Sequence, residues 1–148
     1  MLTSIKKILL SPVAGIRWVN ALECAAKGDF ASAQQLLVRL REFYEGTNAE
    51  FHLLRAYVYL RLGKLAESVA DCESATLLLR SSSRYKDEEK RYLSCYSSKV
   101  ANLAIAEMPT GNRPEKFDET TCSRLDIVQV REALRLSFPI GNNNDIIR

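Results

Sequence analysis

Two short stretches of the chain share one pattern: Gly28-Asp29-Phe30-Ala31-Ser32-Ala33 and Gly63-Lys64-Leu65-Ala66-Glu67-Ser68. They lie 35 residues apart, and each has a glycine, a large apolar residue two positions later and a small residue five positions later. Apolar residues recur at helical spacing before and after each stretch, which predicts a tight turn inside a two-helix hairpin. Glycine suits this turn because it takes the left-handed conformation at a helix end without a Cβ penalty.

Capping signals divide the first half of the chain into four helices. Ser11-Pro12 is typical of a helix start, and Asp29 is expected to cap the second helix. Thr47 and Glu50 predict a capping box at the start of the third helix. The third helix has apolar residues on more than one side, which indicates burial between neighbours. The fourth helix is expected to end near Arg80.

Residues 14–80 resemble two tetratricopeptide repeats, a helix–turn–helix motif of about 34 residues. Aligning the turn glycines pairs small residues with small ones, and these let the helices of a hairpin approach closely. The aligned pairs are Ala21 with Ala56, Ala33 with Ser68, and Phe30 with Leu65 at the turn. The resemblance implies an all-α fold built as a short array of antiparallel helix hairpins.

The sequence departs from the family pattern at three aligned pairs of positions. The family usually has glycine, leucine and proline where this chain has Ala21 and Ala56, Asn20 and Arg55, and Glu45 and Arg80. No third glycine turn follows at the same interval, so the remainder of the chain is expected to cover the end of the array.

We interpret residues 1–148 as a single helical-repeat domain. Residues 84–107 predict a long capping helix, with Asp87-Glu88-Glu89 in its first turn and a stripe containing Tyr85, Tyr92 and Tyr96. Residues 109–120 contain two prolines and a glycine and predict a loop. Residues 121–138 predict a C-terminal helix, and residues 142–148 a disordered tail.

Composition narrows the classes of function. The net charge is +3, and no basic run is longer than Lys6-Lys7, which argues against a nucleic-acid partner. No stretch approaches the roughly 20 apolar residues of a membrane span. The apolar run after Lys7 is too short for a signal peptide, so residues 1–10 predict an amphipathic turn that docks on the domain itself. These features predict a cytoplasmic protein.

The cysteines and the single histidine do not predict chemistry. Cys24, Cys72, Cys95 and Cys122 lack zinc-ligand spacing and are interpreted as reduced core residues, although spacing alone leaves disulfides open. His52 lies within a helix and is expected at its surface. With no glycine-rich phosphate loop either, we expect no enzyme activity, no cofactor and no metal site.

The resemblance implies where a partner would bind, because the first helix of each hairpin lines the concave groove in this family. The residues at groove-facing positions are Trp18, Leu22, Glu50, Leu53, Tyr57 and Arg61. Apolar residues stand where the family's carboxylate clamp has lysine and asparagine, which favours a helix or an extended apolar peptide over an acidic C-terminus. Alternatively, the same side chains pack beneath the terminal segments of this chain.

The sequence therefore predicts a protein–protein interaction module, either an adaptor or a chaperone-like protein. The alternative is a stoichiometric inhibitor, an immunity-type protein or an assembly subunit that masks its partner through loop 109–120 or the convex surface. A homo-oligomer formed through the tyrosine stripe is a third arrangement.

Overall fold

The computed structural model describes residues 4–120 and residue 122, with side chains from residue 13 onward. Five helices make up most of this part: α1 (Ser4–Ala26), α2 (Phe30–Tyr44), α3 (Ala49–Arg61), α4 (Leu65–Ser81) and α5 (Asp87–Glu107). A 3-10 turn at Thr110–Asn112 follows them. The described residues contain no strand, and the all-α fold is confirmed.

The two glycine turns have the same backbone hydrogen bonds. Gly28 and Gly63 have φ angles of 82° and 76°. In the first turn, the Asp29 N–H donates to the Cys24 carbonyl at 2.9 Å, and in the second the Lys64 N–H donates to the Tyr59 carbonyl at 2.8 Å. This six-to-one bond is typical of the Schellman motif, in which glycine ends the helix. Both predicted turns are confirmed.

The predicted helix starts have mixed outcomes. Asp29 caps α2 by accepting from the Ser32 N–H at 3.2 Å, as expected. The predicted capping box at α3 is wrong, because Asn48 is the cap and accepts from the Phe51 N–H at 2.9 Å. The start at Ser11-Pro12 is also wrong, since α1 begins at Ser4 and continues through both residues. A proline removes one backbone hydrogen bond but need not end a helix.

Close helix pairs form the core. α1 packs on α2, and α4 packs on both α3 and α5, while α3 also contacts α2 and α5. The small residues paired by the sequence repeat have no exposed surface: Ala21, Ala33, Ala56 and Ser68. The Ser68 hydroxyl donates to the Ala56 carbonyl at 2.7 Å, so these two helices touch where the pattern predicts.

α5 closes the end of this array, as expected of the capping helix at residues 84–107, although it begins at Asp87. Two tyrosines of the predicted stripe are buried within the chain, Tyr85 at 4% and Tyr96 at 1% exposure. The Tyr85 hydroxyl accepts from the Ala49 N–H at 2.9 Å and donates to Glu50 at 2.7 Å. The linker before α5 therefore completes the first turn of α3.

The loop after α5 returns along that helix. The Asn102 side chain accepts from the Phe117 N–H at 2.8 Å and donates to the Phe117 carbonyl at 3.0 Å. Lys99 pairs with Glu119 at 2.8 Å. Apart from the 3-10 turn, residues 109–120 have no regular structure, which matches the predicted loop.

The returning loop brings Cys122 beside α5, where it forms a disulfide with Cys95. Their Cα atoms lie 5.8 Å apart. The interpretation of these two cysteines as reduced is wrong, because Cys122 lies at the core surface through the contacts of the loop rather than through a local pattern. Cys24 and Cys72 are free thiols, and burial raises the pKa of Cys72 to about 12.

Several predictions fall outside the described residues. They are the predicted C-terminal helix at 121–138, apart from Cys122, the tail at 142–148, and residues 1–3 of the amphipathic turn. For residues 4–10 only the backbone is described, and it is helical.

Candidate interaction groove

A groove of about 660 Å³ lies between α2 and α4, with α3 contributing to its floor. Two large apolar side chains line it and are exposed, Val38 of α2 at 56% and Leu77 of α4 at 63%. The other lining residues are Gln34, Arg41, Glu45, Gly46, His52, Arg55, Tyr59, Glu67, Ala70, Asp71, Ser74 and Leu78. The groove thus combines apolar walls with a polar floor.

Asp71 is the centre of the polar floor. Its buried carboxylate accepts three hydrogen bonds, from His52 Nδ1 at 2.9 Å and from Arg55 Nε and Nη2 at 2.8 Å each. The Gly46 N–H donates to His52 Nε2 at 3.0 Å, so Nδ1 carries the imidazole proton that is donated to Asp71. This chain of bonds holds the α2–α3 turn against α3 and α4.

The position of His52 corrects the expectation of a surface histidine, because its exposure is only 3%. Most residues of α3 are buried, and Asp71 of α4 gives the ring a charged partner inside the protein. The ring nitrogen that would accept a proton from a substrate already accepts the Gly46 N–H. In the ranges that the structure describes, no three His, Cys, Asp or Glu side chains are grouped as metal ligands.

Arg55 links the floor to the edge of the groove. Its Nη2 donates to Glu45 at 3.1 Å, and Glu45 also accepts from Arg41 at 3.2 Å. Burial alone would lower the pKa of Arg55, but the hydrogen bonds that Arg55 donates to Asp71 outweigh this effect and raise the pKa above its usual value. Burial would likewise raise the pKa of Glu45, yet the bonds from Arg55 and Arg41 lower it. The polar groups of the floor therefore neutralise one another.

Glu45 and Arg55, two of the residues at which the sequence departs from the tetratricopeptide pattern, are bonded to each other. Arg55 stands where that family has leucine, and Glu45 stands where it has proline, and the two side chains form an ion pair. The Arg55 guanidinium also lies 4.8 Å from the centroid of the Phe51 ring, a favourable cation–π distance.

The six residues predicted to bind a partner differ in how deeply they are buried. Leu22, Leu53 and Tyr57 are buried, at 7%, 0% and 5% exposure, which fits the alternative that they pack internally. Trp18 is half-buried and packs edge-to-face on Tyr44, with 6.0 Å between ring centroids. None of the three buried residues presents a surface that a partner could contact without rearrangement of the helices.

The two charged residues of the six also have contacts within the chain. Glu50 accepts the hydrogen bond from Tyr85. Arg61 is exposed, and its guanidinium lies 5.4 Å from the centroid of the Phe30 ring, which in turn packs edge-to-face on Tyr57. None of the six predicted residues lines the groove between α2 and α4. Their role in partner binding stays a prediction.

Sequence reasoning missed Val38 and Leu77, although a signal for both was present. Each belongs to a run of three apolar residues, Leu36-Leu37-Val38 and Leu77-Leu78-Leu79. Consecutive helical residues point about 100° apart, so one buried face cannot hold three of them. In each run, the middle or last residue is buried and another member is exposed. Such runs indicate a second apolar face.

No protein-family model, curated protein or solved structure matches this chain. Within the part that the structure describes, none of the helices has the length and hydropathy needed to cross a bilayer.

Proposed function

We propose that this protein is a protein–protein interaction module, adaptor or chaperone-like, whose groove between α2 and α4 binds an amphipathic helix of another protein. The observation that supports this proposal is the exposure of Val38 and Leu77 on the two walls of one groove. Adjoining exposed apolar side chains are typical of interaction surfaces, whereas single ones are ordinary. A helix with apolar residues at i, i+3 or i+4, and i+7 fits such a surface.

The charges of the groove support a partner that binds through apolar anchors. The buried Asp71 is bonded to both Arg55 and His52, and Arg55 is also bonded to Glu45, so these groups demand no partner of opposite charge. Arg41 on α2 and Glu67 on α4 are exposed on the two walls and offer polar contacts around the apolar centre. Interfaces commonly have this arrangement of apolar core and polar rim.

The proposal places the binding surface on the second helix of each hairpin, away from the residues predicted on the first helices. It retains the tetratricopeptide-like repeat of residues 14–80 as the proposed origin of the architecture, since both turns have the same backbone bonds. Residues such as Leu53 then serve the core on which the groove is built.

Affinity capture with matched variants tests this function. The purified wild-type chain is used as bait in an extract of its source cells, beside the double variant Val38→Glu/Leu77→Glu and the control Val19→Glu. Val19 is 51% exposed on α1 and lies outside the groove. We expect the control to retain the wild-type partner and the double variant to lose it, with unchanged circular dichroism in all three. Equal capture by the double variant contradicts the proposal.

A second candidate is a stoichiometric inhibitor, immunity-type protein or assembly subunit that contacts its partner through the loop. It is favoured by the continuous exposure of residues 109–116. The variant Glu115→Ala/Lys116→Ala changes this surface and spares the Asn102 contacts that position the loop. Loss of capture by this variant, with capture retained by Val38→Glu/Leu77→Glu, supports the second candidate over the first.

The predicted cytoplasmic location stays a proposal. The disulfide between Cys95 and Cys122 is of a kind that persists in oxidising compartments and is rare in the cytosol. Thiol labelling of the protein, isolated from cells and denatured without reductant so that the buried Cys72 also reacts, distinguishes the two environments. Two labelled cysteines would indicate the oxidised form, and four the reduced one.

A further inference from the structure

The side of α1 opposite to its buried residues is apolar and exposed. Val13, Ile16 and Val19 have 39%, 62% and 51% of their surface exposed. Neighbouring members of this set are three residues apart, so they lie next to one another along the helix. Ala14 and Ala21, which are buried in the core, lie on the other side of the helix. α1 therefore has an apolar surface that the core does not use.

This surface continues into the first part of the helix. α1 has 23 residues and α2 has 15, and because the two are joined by a short turn, the extra length lies at the N-terminal end of α1. The backbone there is helical, and its register places Ile5 and Leu9 in line with Ile16. We call this line the apolar ridge, and it runs for about 21 Å along the helix. It consists of Ile5, Leu9, Val13, Ile16 and Val19.

The net positive charge of the protein is concentrated on the same helix. The chain has 21 Lys and Arg residues and 18 Asp and Glu residues, a net charge of +3. Residues 1–22 contain Lys6, Lys7 and Arg17 but no acidic residue, so they account for the whole net charge and the rest of the chain is balanced. The first acidic residue, Glu23, follows the end of the ridge. An anionic membrane surface complements this combination of basic and apolar residues.

A second copy of this chain fits the ridge less well. In a two-fold dimer the same surface of each chain meets itself, so the basic residues of the two copies come close together. Like charges across an interface oppose association. The ridge is also convex, whereas the anchor residues of protein partners are usually held in pockets. Lipids adapt to a convex helix, which lies with its apolar side in the interfacial region of the bilayer.

We propose that α1 docks on an anionic membrane surface, with the apolar ridge in the interfacial region and the basic residues at the lipid headgroups. The helix lies along the surface, consistent with the finding that no described helix is able to cross a bilayer. None of the residues that line the groove between α2 and α4 belongs to α1, so a docked chain leaves the groove open. The inference goes beyond the proposed function and does not depend on it.

Flotation of the full chain with lipid vesicles tests the proposal without any partner. Vesicles of phosphatidylcholine with about 40 mol% phosphatidylglycerol provide the anionic surface, and pure phosphatidylcholine vesicles are the reference. We expect the wild-type chain to float with the anionic vesicles and at least about fivefold less with the reference vesicles, because three basic residues contribute to binding. Raising the salt concentration from about 0.1 to 0.5 M is expected to weaken the binding, since salt screens the headgroup charges.

Matched variants distinguish docking through the ridge from general adhesion. Val13→Glu/Ile16→Glu is expected to lower the vesicle-bound fraction about tenfold or more, since two apolar anchors are lost. The control Val38→Glu/Leu77→Glu makes the same change of charge at two exposed apolar residues outside α1 and is expected to bind like the wild type. All four residues are exposed, so unchanged far-UV circular dichroism is expected for both variants.

A second pair of variants tests the charge. Lys6→Gln/Lys7→Gln is expected to weaken binding to the anionic vesicles by about fivefold for each charge removed. Lys86→Gln/Lys116→Gln removes two exposed basic residues outside α1 and is expected to have little effect.

Several outcomes would overturn the proposal. They are absence of wild-type binding, equal binding to the two kinds of vesicle, and equal losses in the α1 variants and their controls. Analytical ultracentrifugation tests the remaining occupant: a wild-type dimer that Val13→Glu/Ile16→Glu dissociates, without vesicle binding, would assign the ridge to a second copy instead. Because capture of a partner by the groove is measured separately, failure here leaves the test of the proposed function intact.

Discussion

Replacing Asp71 with asparagine is expected to lower the free energy of unfolding by about 3 kcal/mol, since removal of one partner of a buried ion pair costs about 3–5 kcal/mol. The Asp71 carboxylate accepts three hydrogen bonds, and an asparagine has one acceptor oxygen and an amide that opposes the donors of Arg55. The Arg55 side chain is only 12% exposed and would keep just Glu45, at 40% exposure, as its partner. We choose the lower end of the range because Glu45 remains.

Urea denaturation at neutral pH, followed by far-UV circular dichroism, measures this loss. With a slope of about 2 kcal/mol per molar urea, the midpoint is expected to fall by about 1.5 M. Glu67→Gln is the matched control, because it makes the same carboxylate-to-amide change on an exposed residue of the same helix. The control is expected to change stability by less than about 0.5 kcal/mol. Equal midpoints for the two variants would refute the reasoning.

A double-mutant cycle isolates the ion pair from other effects of the substitutions. Arg55→Leu introduces the residue that the tetratricopeptide pattern has at this position, and alone it leaves Asp71 buried without its main partner. The combined Arg55→Leu/Asp71→Asn variant is expected to lose at least about 1.5 kcal/mol less than the sum of the single losses. Additivity within about 0.5 kcal/mol would show that the pair is not coupled.

Three further predictions follow from other contacts. Tyr85→Phe is expected to lower the free energy of unfolding by about 1–3 kcal/mol, because the buried Ala49 N–H loses its acceptor. Burial and the bond to Glu50 raise the pKa of Tyr85 to about 12 in the folded state. The wild-type protein is therefore expected to lose stability as the pH rises from about 10 to 12, and the Tyr85→Phe variant to lose less. Reduction of the Cys95–Cys122 disulfide is expected to lower the free energy of unfolding, measured by urea denaturation, by about 3.5 kcal/mol, because the disulfide no longer restricts the unfolded loop. The same reductant is expected to leave the stability of Cys122→Ser unchanged. Asn102→Ala is expected to speed tryptic cleavage within residues 113–120 severalfold while α5 stays protected, and an unchanged cleavage rate would contradict the role of its hydrogen bonds.

Local signals in the sequence predicted the two glycine turns and the presence of α1 to α5, but not the starts of α1 and α3. Glycines 28 and 63 end helices through backbone bonds to residues of the same turn, and Asp29 caps through an amide three residues away. The small residues of the repeat are buried because their spacing matches the helical period. Such features depend on neighbouring residues, which is why a single sequence predicts them.

The wrong starts of α1 and α3 are local errors, whereas other incorrect predictions concern contacts between distant residues. Asn48 rather than Thr47 caps α3, and Glu50, the predicted partner of Thr47, instead accepts from Tyr85. Likewise, His52 is buried because Asp71, 19 residues later, faces it from α4. A single sequence shows which residues are able to form such bonds but does not rank the alternatives.

The candidate site was predicted less well than the fold. The groove positions inferred from the resemblance assume that the first helices remain uncovered on one side. Instead, α5 packs on α3, and Tyr57 lies close enough to Tyr96 to influence its pKa. The exposed apolar residues of the groove, Val38 and Leu77, lie on α2 and α4, where only the runs of consecutive apolar residues signalled them.

The bond between the Tyr85 hydroxyl and the Ala49 amide also bears on how the protein forms during synthesis. A nascent chain ending before residue 85 contains α1 to α4, yet its α3 lacks this acceptor for the Ala49 N–H and the cover provided by α5. Linear repeat arrays commonly gain stability one unit at a time. Here, the second hairpin depends on a later part of the chain, so we infer that the domain folds cooperatively and late, after α5 has left the ribosome.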